Sequence, residues 1–221
     1  MFIDHWEFSR AWQLAHSKIT GRKLTKDDRD KAQIDAQDVR WDLVPDAVLS
    51  QLDEMPYIEG GKELRAVDVY APVNKPNNQN RSDLEVWLDE KLDPLAGFQV
   101  HLFHTKPDNK KPSCGKCGAD IKRPDIVKGL NTKVACDMLS HAVKDSYDVC
   151  VLMMSDAELA PSILCVQEIF DKQVIHVGPK GEGEALRSAA WGHILFEDLV
   201  PDIITSEDFK KQYSGARTKR R

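Results

Sequence analysis

A chain of 221 residues with 41% hydrophobic and 30% charged side chains is long enough for one ample core or two small ones, and its composition is that of a globular rather than a disordered protein. The formal net charge of -5 argues against a surface built as a whole to coat a polyanion, although local basic clusters can still meet phosphates. No run of about 18 apolar residues occurs, and no signal-peptide pattern follows Met1, so we expect a cytoplasmic protein that does not contact membranes.

Strand and helix patterns alternate along the chain. Apolar residues recur at helical spacing in several segments, whereas YDVCVLMMS is a short continuous apolar run, which is typical of a fully buried parallel strand. Glycine, proline and polar stretches separate these segments. In chain order we predict a strand over 2–4, a helix over 8–19, a short helix over 46–55 capped by Asp46, a strand over 64–73, a helix over 82–97, a strand over 98–104, a helix over 131–146, a strand over 147–155, a helix over 159–171, a strand over 172–179 and a last helix over 184–194.

This alternation predicts an α/β protein with three layers, in which helices cover both faces of a central, mostly parallel sheet. The run YDVCVLMMS is expected at the centre of that sheet. We assign residues 1–205 to a single domain, within which 21–63 form an irregular insertion and 105–127 form a cysteine-containing loop. Residues 206–221 form a polar, basic tail.

Two of the predicted strands end in acidic residues. Asp4 closes the first strand, with Glu7 one turn later, and Asp156 and Glu158 follow the central strand. In open parallel α/β sheets ligands bind at the carboxyl ends of the strands, where these acids would converge. Asp137, on the preceding helix, would join them if its face turns to the same cleft. The alternative is that Asp156 and Glu158 only cap the next helix.

Several carboxylates at one place repel one another unless they are protonated, hydrogen-bonded or neutralised by a cation. Oxygen ligands with open water positions suit Mg²⁺ or Mn²⁺. Such ions activate water and stabilise the charge of a phosphodiester under in-line attack. The acids therefore indicate metal-dependent hydrolysis of a phosphodiester.

The five cysteines are of two kinds. Cys114 and Cys117 form the C-x-x-C knuckle CGKCG, which is half of a tetrahedral zinc site. His101 and His104, or the knuckle of a second chain in a homodimer, are candidates for the missing ligands, and a simple turn is the alternative. The other three lie in apolar segments, where a reduced thiol behaves as a small hydrophobe: Cys136, Cys150 and Cys165.

Three stretches together resemble a known family: FIDHWEF, GLNTKVACDML and YDVCVLMMSDAELAPSI. From Met1 to about Val200 the chain resembles the NYN domain of the PIN-like nuclease superfamily, in its bacterial LabA-like branch. Many relatives also carry a C-x-x-C knuckle just before the second of these elements. The resemblance implies a PIN-like, Rossmannoid α/β/α fold and a ribonuclease that depends on Mg²⁺ or Mn²⁺.

The resemblance also implies roles for individual residues. It makes Asp4, Asp156 and Glu158 the first-choice metal ligands. Asp137 matches the acid in the middle of the family's helix. Lys128, with the glycine after it, matches the KG that opens the helical element.

Three positions depart from the family pattern. Glu7 stands where the family has Asn, and Asn131 stands where the motif KGVD has its acid; MSDAEL also lacks the usual glycine, second Asp and Phe. We expect Asn131 to hydrogen-bond rather than to bind metal, and Glu7 to restore a carboxylate nearby. A rearranged but competent metal site fits these departures, and so does a domain that keeps the fold without the chemistry.

Basic residues that precede the acidic helix are the candidates for guiding RNA to the site, and a plain solvated surface is the alternative. No G-x-S-x-G occurs, and no G-x-G-x-x-G follows the first strand, which argues against a serine hydrolase and a dinucleotide-binding domain. The remaining rival is a non-catalytic NYN-fold module for RNA binding or protein interaction. The candidate RNA-binding residues are Lys110, Lys111, Lys116, Lys122, Arg123 and Lys128.

Overall fold

The computed structural model of the chain describes residues 1–20, 25, 39–58, 60–74, 81–105 and 127–204. Within these residues six parallel strands form one sheet in the order β3-β2-β1-β4-β5-β6. The prediction of a three-layer fold around a parallel sheet is confirmed. The strands are β1 (Phe2–Asp4), β2 (Val67–Asn74), β3 (Phe98–Thr105), β4 (Val149–Met153), β5 (Gln173–Gly178) and β6 (Gly192–Leu195).

Seven α-helices of the described residues cover the sheet. Local signals start several of them: Ser82 caps α3 by accepting a hydrogen bond from the Glu85 amide at 3.2 Å, and α3 continues as a π-helical turn over Leu88–Leu92. None of these helices is long and apolar enough to cross a membrane. They are α1 (His5–Thr20), α2 (Val44–Asp53), α3 (Asp83–Trp87), α4 (Leu130–Val143), α5 (Ala160–Phe170), α6 (Glu184–Ala189) and α7 (Phe196–Ile203).

Alternation along the strands divides the core into two layers. Ile3 of β1 packs on the layer formed with α1, α2 and α7, whereas Phe2 packs on the layer formed with α4, α5 and α6. Because side chains alternate with a period of two, Asp4 shares the side of Phe2 and points toward the α4 and α5 layer. Each fully buried aliphatic side chain in these layers contributes about 1.5–3 kcal/mol to stability.

The strand order places a topological switch point between β1 and β4. The chain proceeds outward from β1 to β2 and β3 on one side, and from β4 to β5 and β6 on the other. Connections leave these two central strands in opposite directions, which opens a crevice at their carboxyl ends. Asp4 ends β1, and Asp156 lies three residues beyond the end of β4.

The predicted last helix over 184–194 is wrong in its second half. The helix α6 stops at Ala189, Ala190 has an extended backbone, and the Trp191 amide donates to the Val174 carbonyl at 2.9 Å. This bond starts β6, a short edge strand whose four residues carry too little period-two pattern to be recognised. The sequence patterns predict no element for the following segment FEDLV, but in the structure this segment begins α7.

The short helix predicted over 46–55 is present as α2, but it begins two residues earlier. Asp46 lies inside its first turn and does not cap it; Pro45, which needs no amide partner, occupies the start. Val48 and Leu52 of this helix are buried in the core. This part of the 21–63 stretch is therefore packed structure.

Candidate active site

Asp4 ends β1 and caps the helix that follows. Its Oδ1 accepts hydrogen bonds from the backbone amides of Trp6 at 2.8 Å and Glu7 at 3.0 Å, so the carboxylate satisfies two amides at the start of α1. Only 7% of Asp4 is exposed. Burial, together with the charges of Glu7 and Asp156, raises the pKa of Asp4 to about 7 although these two amide bonds oppose the shift. The group is poised to titrate near neutral pH.

Glu7 lies one turn into α1 and faces the same crevice. Burial raises its pKa, and the charge of Asp156 adds to the effect. Hydrogen bonds from the hydroxyl and the amide of Ser155 oppose it, as does the charge of Arg10, whose guanidinium is 3.4 Å from Glu182. The Oε2 atom of Glu7 is buried without a hydrogen-bond partner among the described residues. A buried carboxylate oxygen without a partner is costly, and it is suited to a ligand.

Asp156 performs two jobs in the turn after β4. Its Oδ1 accepts from the Glu158 amide at 3.0 Å and so caps the 3-10 turn Ala157–Leu159. Its Oδ2 accepts from the Asn131 side-chain amide at 2.6 Å. The capping alternative therefore describes part of what Asp156 does. Its charge also acts on Asp4 and Glu7, and we call these three groups the carboxylate trio.

Asn131 bridges the two acids that follow the central strand. The same Nδ2 group that donates to Asp156 lies 3.3 Å from Oε2 of Glu158. Because both carboxylates can only accept, the amide must turn its nitrogen toward them. Asn131 enters from the second residue of α4, behind Gly129, whose φ of +85° suits glycine. The amide thus holds the exposed Glu158 and the half-buried Asp156 together without adding charge.

Asp137 belongs to a different cluster. Its carboxylate accepts from the Tyr70 hydroxyl at 2.7 Å and pairs with Lys133, one helical turn earlier, at 2.5 Å. Burial acts to raise the pKa of Asp137, but the hydrogen bonds from Lys133 and Tyr70 outweigh it and the pKa is lowered. Its charge is already compensated. The structure does not bring Asp137 into the carboxylate trio.

The carboxylate trio fits a hard divalent cation by its chemistry. All three side chains offer oxygen, two of them carry raised pKa values from burial and mutual repulsion, and one oxygen of Glu7 lacks a partner. In the part of the chain that the structure describes, no three His, Cys, Asp or Glu side chains are already gathered closely enough to hold a metal. The donor set is suitable, and its members would have to draw together on binding.

Several predicted site residues lie outside the described residues. These include both cysteines of the knuckle that we expect to bind zinc. His101, one candidate for a missing ligand, pairs its Nε2 with Asp68 at 3.0 Å, and His104 is exposed on β3. Lys128 is described and exposed, three residues before Asn131. The residues outside the described ranges are Lys110, Lys111, Cys114, Lys116, Cys117, Lys122 and Arg123.

Two polar residues at the site were not anticipated from the sequence. Ser155, which follows the neighbouring strand β4, donates to Glu7. The charge of Arg10, one turn later on α1, lowers the pKa of the same carboxylate. A serine directly after a buried strand is too common to attract notice. Arg10, three residues after Glu7 on a predicted helix, follows the spacing at which helical side chains meet and could have been found by that rule.

The chain is similar to one protein family and, loosely, to a solved structure. None of the curated proteins matches it. Among solved structures, a protein of unknown function from Vibrio parahaemolyticus RIMD 2210633 is 17% identical, with a match that covers 63% of this chain and 73% of that chain at a TM-score of 0.40, a likeness too loose to support a conclusion. The family model of the NYN domain matches residues 32–197, the greater part of the chain. The chain therefore belongs to the NYN domain family of the PIN-like nuclease superfamily.

Proposed function

We propose that this protein is a ribonuclease that depends on Mg²⁺ or Mn²⁺ and hydrolyses phosphodiester bonds of RNA. The observation that carries the proposal is the carboxylate trio at the switch point of the sheet, in which the buried Asp4 and the half-buried Glu7 and Asp156 repel one another. Membership of a nuclease superfamily supports the same reaction class. A cation relieves the repulsion, and the crevice is where ligands of such sheets bind.

In this proposal Asp4, Glu7 and Asp156 would hold the metal, and Glu158 lies beside Asp156, with which it shares the Asn131 amide. A bound divalent ion there supplies an activated water and stabilises negative charge on the phosphate. The chain itself supplies position: two amides fix Asp4, Ser155 fixes Glu7, and Asn131 fixes Asp156. These bonds orient the three carboxylates toward the crevice, and binding of a cation would draw them together.

The protonation state of Asp4 should govern metal binding. With a pKa of about 7, Asp4 is largely protonated below that pH, and a proton must leave before its carboxylate can bind a cation. We therefore expect metal affinity and cleavage to rise with pH up to about 7 and to level off above it.

A cleavage assay tests the proposal. A mixed, end-labelled RNA pool is incubated with the protein in Mg²⁺, Mn²⁺ or EDTA, beside an Asp156→Asn variant. Asn keeps an oxygen to cap the 3-10 turn but removes the charge, so the variant should stay folded and lose cleavage. Cleavage that persists in EDTA, or in the variant, would contradict a metal site built on Asp156.

One observation favours a non-catalytic RNA-binding or protein-interaction module as the second candidate. Asn131 stands at a position where the family has an acid. Its amide already occupies one oxygen of Asp156 and contacts Glu158. Such a module would bind RNA with equal affinity in Mn²⁺ and EDTA and leave it intact. The same RNA pool, followed by filter binding in both conditions, separates the two functions.

A further inference from the structure

His176 is a fully buried histidine beside the candidate site. It lies on β5, which pairs with β4, and it faces the side of the sheet that also carries Leu152. None of its surface is exposed. Burial lowers the pKa of His176 to about 4, so its ring is neutral at neutral pH. A neutral, buried imidazole is held by the hydrogen bonds that its two nitrogens make.

Both nitrogens of His176 have defined partners. Nε2 lies 2.7 Å from the Met154 carbonyl, and because a carbonyl can only accept, Nε2 must carry the proton. Nδ1 is then unprotonated, and its lone pair can accept a hydrogen bond from Nδ1 of His193, which is 3.1 Å away. The His193 ring stacks on it at a centroid distance of 5.2 Å, and its Nδ1 also lies 3.1 Å from the His176 carbonyl. The network fixes one tautomer and one ring orientation.

Two glycines shape the space around this ring. A Cβ at Gly178 would lie 2.7 Å from Cε1 of His176, and a Cβ at Gly183 would lie 2.8 Å from the same atom. The Gly183 position is also 3.6 Å from the Cα of Ser155. A side chain at either glycine would therefore displace the ring from its present position beside the turn that follows β4. The imidazole therefore packs closely against both glycines and lies beside this turn.

The bonded carbonyl belongs to the turn that carries the site. Met154 is followed by Ser155, which donates from its amide and hydroxyl to Glu7, and then by Asp156, which accepts from Asn131. A shift of the Met154 carbonyl would carry the Ser155 donors with it. The orientation of both Glu7 and Asp156 thus depends on how this one peptide is held.

We propose that His176 is a positioning residue: its Nε2–H holds the Met154 carbonyl and thereby fixes the turn that aims Ser155 at Glu7 and Asp156 into the crevice. The effect of His176 on metal binding rests on the proposed function. Its effect on the turn does not. A space-filling role alone would be served equally by any residue of similar volume, whereas the positioning role needs a donor at the place of Nε2.

The test compares three variants of the full chain. His176→Gln keeps a side-chain N–H near the place of Nε2, His176→Leu removes it, and Gly178→Ala leaves the histidine but pushes the ring away. Amide hydrogen exchange in EDTA is followed at Ser155 and Glu158, whose amides bond to Glu7 and Asp156. The Mn²⁺ affinity of each variant is then measured by calorimetry.

We expect His176→Leu and Gly178→Ala to exchange these two amides about five to ten times faster, the loss of about one hydrogen bond, with Mn²⁺ binding weakened by a similar factor. Amides of β2 should not change, and His176→Gln should restore most of the protection. If Leu and Gln behave alike, or if β2 amides accelerate equally, His176 is only a core residue. If the wild type binds no Mn²⁺, the proposed function fails, and the exchange comparison still decides the role of His176. If His176→Leu does not fold, the exchange rates of Gly178→Ala decide that role.

Discussion

Buried titratable groups set the character of this site residue by residue. Asp4 and His5 are neighbours in sequence, yet burial moves their pKa values in opposite directions, to about 7 for the acid and to about 3 for the base. In both cases the neutral form is the one that the folded protein prefers. The two groups therefore make opposite contributions to the pH dependence of stability.

Asp4→Asn should make the metal-free protein more stable at alkaline pH. The pKa of Asp4 is raised from 3.8 when the protein folds, so its stabilising contribution is complete below pH 3.8 and is lost as the pH rises to about 7. Asparagine cannot ionise, and its oxygen can still accept from the Trp6 and Glu7 amides. Between pH 5 and pH 8 the free energy of unfolding of the wild type should fall by about 2–3 kcal/mol more than that of the variant. Urea unfolding in EDTA at both pH values measures this, and parallel pH curves for the two proteins would rule it out.

His5→Phe should reduce acid destabilisation. His5 is fully buried, stacks on Trp41 at a centroid distance of 5.5 Å, and neither ring nitrogen has a hydrogen-bond partner among the described residues. Its pKa is lowered from 6.5, so the unfolded chain takes the proton first and stability is lost as the pH falls below 6.5. Between pH 7 and pH 4.5 the free energy of unfolding of the wild type should fall by about 2–3 kcal/mol more than that of the phenylalanine variant. The exposed His104→Gln is the matched control, and equal acid curves for all three proteins would contradict this assignment.

At the scale of elements, α4 couples the site to the sheet through two separate contacts. Its start delivers Asn131 to Asp156, and its middle delivers Asp137 to Tyr70. The family pattern makes Asp137 a site acid, yet here Lys133 and Tyr70 neutralise and bind it. The start and the middle of one helix thus serve different purposes, the start at the site and the middle in anchoring the helix.

Asp137→Asn should therefore cost stability rather than activity. The change weakens the ion pair with Lys133 and the bond from Tyr70, which we expect to cost about 1 kcal/mol. Cleavage should stay within about threefold of wild type, because the carboxylate trio is untouched. Asp156→Asn, measured in the same cleavage and urea-unfolding experiments, should show the reverse pattern. Loss of cleavage in Asp137→Asn with unchanged stability would indicate instead that Asp137 is part of the metal site.

For the molecule as a whole, the sequence was sufficient to predict the layers of the fold, because strand and helix periodicities are local. It also placed Asp4 and Asp156 at the strand ends that meet. It could not predict pairings between distant segments: Tyr70 reaches Asp137 across 67 positions, and Asn131 reaches Asp156 across 25. The edge strand β6 was missed because its hydrogen bonds to β5, rather than its four residues, make it a strand.

Under the proposed function, RNA would approach a protein of net charge -5 through local positive charge. Lys128 is exposed two residues before α4 and three residues before Asn131, and Lys144 is exposed at the opposite end of the same helix. Lys128→Gln should weaken RNA binding and lower the slope of log affinity against log salt by about 0.7, the effect of one contact to a single strand. Lys144→Gln should change neither quantity. Fluorescence anisotropy with a labelled RNA between low and high salt measures both variants, and equal effects would make Lys128 ordinary surface.

The proposed function depends most on a divalent cation at the carboxylate trio. Calorimetric titration of Mn²⁺ into the metal-free protein at pH 8, without RNA, measures this directly for the wild type and for Asp4→Asn, Asp156→Asn and Asp137→Asn. We expect saturable binding by the wild type and by Asp137→Asn, and affinity at least about tenfold weaker in the other two, since each removes one charged ligand. No binding by the wild type, or binding that Asp4→Asn and Asp156→Asn leave unchanged, would contradict the central claim.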